Sequence, residues 1–207
     1  MKRLLHIIAT PRGEESNTLQ VSNSFLTTFK SSHTDWIIDE LDLSKEELPS
    51  LSMKSVSGKY VLLKGEDLHG SLKETWVEII QHIERFKTAD LFLISTPMWN
   101  FNIPYMLKHY LDLIIQPRYL FRYKKDGTVE GLIKDKKMTV ISSRGGDYEG
   151  EMKSIDFLEP YLKHLFQFIG LESVEFINAQ PTGMGKDRWI EALKQAQEKA
   201  VKAAKDA

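Results

Sequence analysis

The chain reads as a doubly wound α/β domain with five parallel strands and helices on both faces, and the order 2-1-3-4-5 is chosen because it is a common arrangement of five such strands. Three observations carry this reading. Five short apolar runs recur along the 207 residues, each bounded by polar or turn residues, as strands buried in a parallel sheet are. Helical periodicity fills the intervals between them. A rigid aromatic loop, Thr96-Pro97-Met98-Trp99-Asn100-Phe101-Asn102-Ile103-Pro104, follows the third run directly. It stands at the carboxyl end of a buried strand, where open α/β sheets bind ligands.

The elements follow in order. Leu4–Ala9 is the first strand, and Thr10–Thr18 leads from it into the first helix. Trp36–Ile38 is the second strand. Ser44–Gly70, rich in Ser, Lys and Glu, reads as a long connection of the kind that is often functional. Leu72, Trp76, Ile79, Ile80 and Ile83 form one helical stripe. Leu91–Ile94 is the third strand. Pro104 suits the first turn of the next helix, where a missing N–H costs nothing. That helix buries Leu107, Tyr110, Leu111, Ile114 and Ile115 and turns Lys108, His109 and Asp112 to solvent. Tyr119–Tyr123 and Thr128–Ile133 flank Lys124-Lys125-Asp126-Gly127, and Asp-Gly between such runs signals a β-hairpin. It is an excursion from the sheet, expected over the ligand site. Met138–Ile141 is the fourth strand. Leu158, Tyr161, Leu162, Leu165 and Ile169 make a helix stopped by Gly170, and Val174–Ile177 is the fifth strand. Lys194–Lys205 reads as a solvated helix face. One domain spans residues 1–207.

Composition narrows the function. The 28 basic residues balance 29 acidic ones, for a net charge of -1, so neither nucleic acid nor membrane is expected as a partner. The chain has no cysteine, which removes disulfides, thiolate metal sites and a cysteine nucleophile. The apolar run near Met1 is too short for a signal peptide, and no segment reaches the ~18 apolar residues of a membrane helix, so a cytoplasmic setting is expected. The histidines form no metal-ligand pattern, and no nucleophile elbow is present.

Three loops at carboxyl ends of strands form the candidate site. Thr10, Ser16, Asn17 and Thr18 bring hydroxyls and an amide to a helix N-terminus, which favours a phosphate. The loop carries neither the dinucleotide nor the nucleoside-triphosphate fingerprint. Met98, Trp99, Asn100 and Phe101 form an aromatic platform. Ser143, Arg144, Gly145 and Gly146 add two adjacent glycines that let backbone approach a flat ring.

These loops, in this order, resemble the flavodoxin-like FMN-dependent NADH-azoreductases, also described as NADH:quinone oxidoreductases. Pro97–Ile103, Phe121-Arg122-Tyr123 with Glu130-Gly131-Leu132, and Ser142–Gly146 carry the likeness, and Pro160-Tyr161-Leu162 and Phe168-Ile169-Gly170 extend it. The resemblance implies that Thr10, Ser16, Asn17 and Thr18 bind the FMN phosphate. It implies that Met98, Trp99, Asn100 and Phe101 line the isoalloxazine ring, and that Ser143, Arg144, Gly145 and Gly146 close its other edge. Phe121, Tyr123 and Phe168 would border the substrate pocket. Trp99 stands where the family usually has Tyr, and Thr10 where it has Ser. A homodimer with shared sites is implied, as is ping-pong transfer from NADH to quinones or aromatic azo compounds. The chemistry would sit on FMN, with no catalytic side chain. The rival readings are a non-catalytic flavodoxin-like electron carrier, a regulatory flavoprotein subunit, and a hydrolase on a similar sheet. Near-neutral charge argues against the first, and the absent elbow against the last.

Overall fold

A computed structural model describes all of residues 1–207. Strand β1 (Arg3–Ile8) leads into α1 (Asn17–Ser32), and β2 (Ile37–Asp42) follows. Next come α2 (Met53–Leu63), α3 (Gly70–Thr75) and α4 (Val77–Lys87), then β3 (Leu91–Pro97) and α5 (Tyr105–Ile114). A hairpin of β4 (Phe121–Tyr123) and β5 (Val129–Gly131) precedes β6 (Lys137–Ser143). Helix α6 (Leu158–Phe168), strand β7 (Ser173–Ala179) and helix α7 (Lys186–Lys205) complete the chain. The main sheet is parallel, in the order β2-β1-β3-β6-β7. With the hairpin set aside, this is the expected 2-1-3-4-5.

Alternation along the strands splits the core in two. Leu5, Ile7, Phe92 and Ile94 face a larger apolar layer with α4, α5 and α6. Leu4, Leu91, Leu93 and Ile141 face a smaller one with α1 and α7. β3 is buried along almost its whole length, as a central parallel strand should be.

Several expectations are corrected. The second strand starts one residue later and runs to Asp42. It is an edge strand with Ile37 49% exposed, and Trp36 leaves it to pack edge-on against Phe29. Ser44–Gly70 is not a structureless connection, because it holds α2, capped by Ser52. Gly58 lets this helix lie on Trp76, whose Nε1 donates to the Ser55 carbonyl at 3.0 Å. His109 is half-buried, and its Nε2 lies 3.0 Å from the Pro49 carbonyl, so it fastens the same segment instead of facing water. The lysine-rich tail is solvated on one side only. Ala192, Ala196, Ala200, Ala203 and Ala204 are buried, and α7 packs closely along α1. The Leu72–Ile83 stripe is shared by α3 and α4, which break at Trp76.

The hairpin forms at Asp126-Gly127, with the Asp126 carboxylate accepting from the Thr128 N–H at 2.9 Å. Its docking differs from expectation. Gly131 lies against the backbone of Gly170, and the Ile133 N–H donates to the Ile169 carbonyl at 2.9 Å. Those residues end α6, where the chain turns toward the start of β7. Within one chain the hairpin therefore sits at the far end of the sheet from the three loops, not over them. No helix is long and apolar enough to cross a membrane.

Candidate functional site

The carboxyl ends of β1, β3 and β6 are neighbours in the sheet, so their loops open onto one crevice beside the point where strand order reverses. Direct bonds join them. The Met98 N–H donates to the Ser143 carbonyl at 2.9 Å, and Thr18 Oγ1 lies 2.7 Å from Ser143 Oγ.

The first loop makes a short 3-10 turn over Gly13–Glu15 and then enters α1. Ser16 is the helix cap, with Oγ accepting from the Leu19 N–H at 3.4 Å and from Thr10 Oγ1 at 3.3 Å. The N–H groups of Asn17 and Thr18 reach no protein acceptor. Two free donors, a helix N-terminus and the Thr10 and Ser16 hydroxyls make an anion cradle. Asn17 is steadied from α7, with its Oδ1 accepting from Trp189 Nε1 at 3.0 Å.

The second loop is a tight two-residue turn. Trp99 and Asn102 exchange N–H to carbonyl bonds of 2.8 and 3.0 Å. Asn100 (φ 47°) and Phe101 (φ 68°) between them are both left-handed. Asn tolerates that conformation, whereas a bulky Phe pays for it. Strain of this kind persists where surrounding structure enforces it, and such positions cluster at binding sites. The turn leaves Trp99 36% and Phe101 46% exposed and their side chains facing outward. Phe101 meets Tyr148 edge-on at 6.4 Å, and its carbonyl accepts from the Phe157 N–H at 3.0 Å. The N–H groups of Asn100 and Phe101 donate to no protein acceptor.

In the third loop the glycines and the arginine part company. Gly145 is exposed, and a Cβ placed on it would meet nothing within 4 Å. Its N–H and that of Gly146 are free. The Arg144 side chain is 1% exposed. Its guanidinium bonds Asp156 at 2.7 Å, Glu159 at 3.4 Å and Ser142 Oγ at 3.1 Å. Asn178 closes the network, donating to Glu159 at 3.0 Å and accepting from Ser142 Oγ at 2.7 Å. Arg144 thus ties the end of β6 to the start of α6, and its charge is spent inside the protein.

Two contributors are absent from the sequence reading. Thr182-Gly183, after β7, holds the third loop, with N–H groups donating to Arg144 and Gly145 carbonyls at 2.8 and 2.9 Å. The Gly-rich run from Gly183 to Gly185 was the available signal. His6, Ser22 and Ser95 lie beneath the first loop, and no local pattern marks them. Phe121, Tyr123 and Phe168 gather as a second cluster, with ring centroids 5.8 Å (Phe121–Tyr123) and 4.7 Å (Phe121–Phe168) apart, away from the three loops.

Free N–H groups at a helix N-terminus, an outward aromatic turn and a glycine edge surround one crevice, an arrangement with the shape and donors that suit a flat, phosphorylated ligand. Residues 2–204 match the family described as having the flavodoxin-like fold. The chain is 39% identical over 183 residues to the FMN-dependent NADH:quinone oxidoreductase of Desulfotalea psychrophila, covering 88% of this chain and 86% of that one. It is 32% identical to the protein of the same name from Nitratidesulfovibrio vulgaris, covering 97% and 99%. Among solved structures, an azoreductase from Bacillus anthracis superposes with a TM-score of 0.90 at 28% identity over the whole of both chains. A Bacillus anthracis FMN-dependent NADH-azoreductase in complex with FMN gives 0.85 at 28% identity, covering 99% and 100%. The chain belongs to the FMN-dependent NADH:quinone oxidoreductase family.

Proposed function

We propose that the crevice holds FMN and that the protein is an enzyme oxidising NADH and reducing quinones and aromatic azo compounds. The residues fit the group. The free Asn17 and Thr18 N–H groups, with the Thr10, Ser16 and Thr18 hydroxyls, are sized for one phosphate. Met98, Trp99, Asn100 and Phe101 offer a flat apolar wall, and Ser143, Gly145 and Gly146 offer an edge without side-chain bulk. Arg144 serves by holding that edge in place. The convergence of unpartnered N–H groups of Asn17, Thr18, Asn100, Phe101, Gly145 and Gly146 on one crevice carries this reading, and the absence of protein atoms beside Gly145 leaves room there for a ring.

FMN, when bound, supplies the redox chemistry by taking a hydride and passing two electrons on. The chain's part is position and electrostatics. The amides of Asn100, Phe101, Gly145 and Gly146 are preset donors for carbonyl oxygens and for negative charge on a ligand. Trp99 and Phe101 keep water from one side of the crevice. One open face favours donor and acceptor binding in turn, which is ping-pong kinetics. A cytoplasmic setting accords with the use of NADH.

The second aromatic cluster supports a homodimer. Phe121 and Phe168 line a cavity of about 450 Å³ with Leu51, Tyr60, Leu63 and Trp76. Leu51, Val56, Tyr60 and Leu63 are exposed around it, an apolar patch that needs covering. A two-fold partner would cover it and bring Phe121, Tyr123 and Phe168 toward the other copy's crevice. The test is reconstitution with FMN, followed by initial rates with NADH and a quinone and by sedimentation. Parallel double-reciprocal lines and twice the chain mass are expected. Intersecting lines refute the shared face, a fully active monomer refutes the shared site, and a protein that takes up no FMN refutes the assignment.

A further inference from the structure

Beneath the anion cradle runs a buried chain of hydrogen bonds. His6 Nε2 lies 2.7 Å from Ser95 Oγ, and Ser95 Oγ lies 2.6 Å from Ser22 Oγ. Ser22 Oγ donates to the Thr18 carbonyl at 3.0 Å. All four residues are buried. The direction of donation follows from counting hydrogens. The Thr18 carbonyl accepts only, so Ser22 spends its single hydrogen there. Ser22 must then accept from Ser95, which spends its own hydrogen in turn. Ser95 accepts from His6, so His6 carries its proton on Nε2. Nδ1 is left as a bare acceptor, and it has no partner in the protein. Burial also holds the ring neutral, depressing its pKa to about 4.

The chain ends at the turn that matters. Thr18 lies in the first turn of α1, next to the free N–H groups of Asn17 and Thr18, and its own hydroxyl reaches Ser143 at 2.7 Å. We infer that His6 is a positioning residue: through Ser95 and Ser22 it fixes the first turn of α1 and thereby sets the affinity of the cradle for the FMN phosphate. The inference rests on the FMN reading above. A buried one-way chain suits the task, because each bond polarises the next and no hydroxyl is free to rotate. A loose first turn would still admit a ligand, yet would spread its N–H groups away from a single anion.

Comparing FMN with riboflavin, which lacks the phosphate, isolates the effect. Dissociation constants for both are measured by fluorescence quenching on the flavin-free protein, for wild type, His6→Leu, His6→Gln and Ser22→Ala. His6→Leu and Ser22→Ala should weaken FMN about tenfold, the scale on which outer partners of ligating groups act. Riboflavin should change less than about twofold, within ordinary surface-mutation scatter. His6→Gln, which restores a donor near the Nε2 position, should recover most of the FMN affinity. Equal losses for both ligands would mean general loosening and overturn the inference, as would no loss in a folded variant. Wild type that binds neither flavin removes the FMN reading itself, a separate result. Nitrogen NMR of the wild type checks the chain without any substitution. Nε2–H with bare Nδ1 at pH 7 is expected, and the opposite tautomer overturns the directional argument.

Discussion

Gly145→Val separates ligand space from protein space. A Cβ at Gly145 meets nothing within 4 Å, and its φ lies outside the left-handed region, so valine strains neither the packing nor the backbone. The flavin-free protein should keep its stability to within about 0.5 kcal/mol, as for other exposed substitutions. The cost falls on the ligand. Valine's branched carbons occupy the volume beside the free Gly145 and Gly146 N–H groups, where the ring edge would lie. Forcing extra carbons into a filled space costs about 1–3 kcal/mol, which is about 5- to 150-fold in Kd. The assay is FMN titration of the flavin-free variant by fluorescence quenching, beside a thermal melt without flavin. A folded variant with wild-type FMN affinity would refute the placement of Gly145 at the ring. A variant that unfolds without flavin would refute the claim that this space belongs to the ligand.

Three further outcomes follow from the geometry. Arg144→Ala strands Asp156 in the interior and should destabilise the fold by about 3–5 kcal/mol in urea melts; FMN affinity lost at unchanged stability would place the guanidinium on the ligand instead. Gly131→Ala puts a Cβ 2.1 Å from the Gly170 nitrogen, backbone against backbone, so the hairpin should undock, and faster hydrogen exchange at Leu132 and Ile133 is the readout. Stability should fall as pH drops from about 6.5 to about 4, because the unfolded chain takes up a proton that buried His6 refuses. The His6 share is worth about 3 kcal/mol at 1.36 kcal/mol per unit, and His6→Gln should lessen the slope in urea melts run across the range, leaving the part owed to His82, whose pKa burial also lowers.

Several features were legible because their causes are local. Asp126-Gly127 forms its hairpin through turn chemistry contained in four residues. Ser16 caps α1 with an oxygen three residues from the N–H it receives. Pro97 and Pro104 bracket the aromatic loop, and the apolar run before it marks a central strand. The crevice could be placed for the same reason, since its three loops directly follow strands visible by composition. Other features were hidden because their causes are distant. Val56, Tyr60 and Leu63 share one face of α2 but point outward, whereas its buried face is Ser55, Gly58 and Leu62, too weakly apolar to announce itself, and α2 stays in place because Gly58 admits the Trp76 ring. Alanines on α7 are too weakly apolar to announce a buried face until α1 lies against them.

The linear chain determined the α/β class and the three loops that follow buried strands, because periodicity and turn residues act over a few positions. The strand order follows the common arrangement of five such strands and is set by pairing between distant segments. Tertiary structure decided what each side chain does there. Arg144 reads as a ligand contact beside two glycines, yet its charge finds Asp156 across the start of α6, where an unpaired buried guanidinium would be too costly. His6 reads as one more member of an apolar strand. It becomes the head of a directed chain only when pairing of β1 with β3 brings Ser95 within 3 Å of its ring and packing of α1 brings Ser22 within 3 Å of Ser95. Hydrogen bonds and ion pairs are short-ranged and directional, so their partners are set by the folded distances and not by the order of residues.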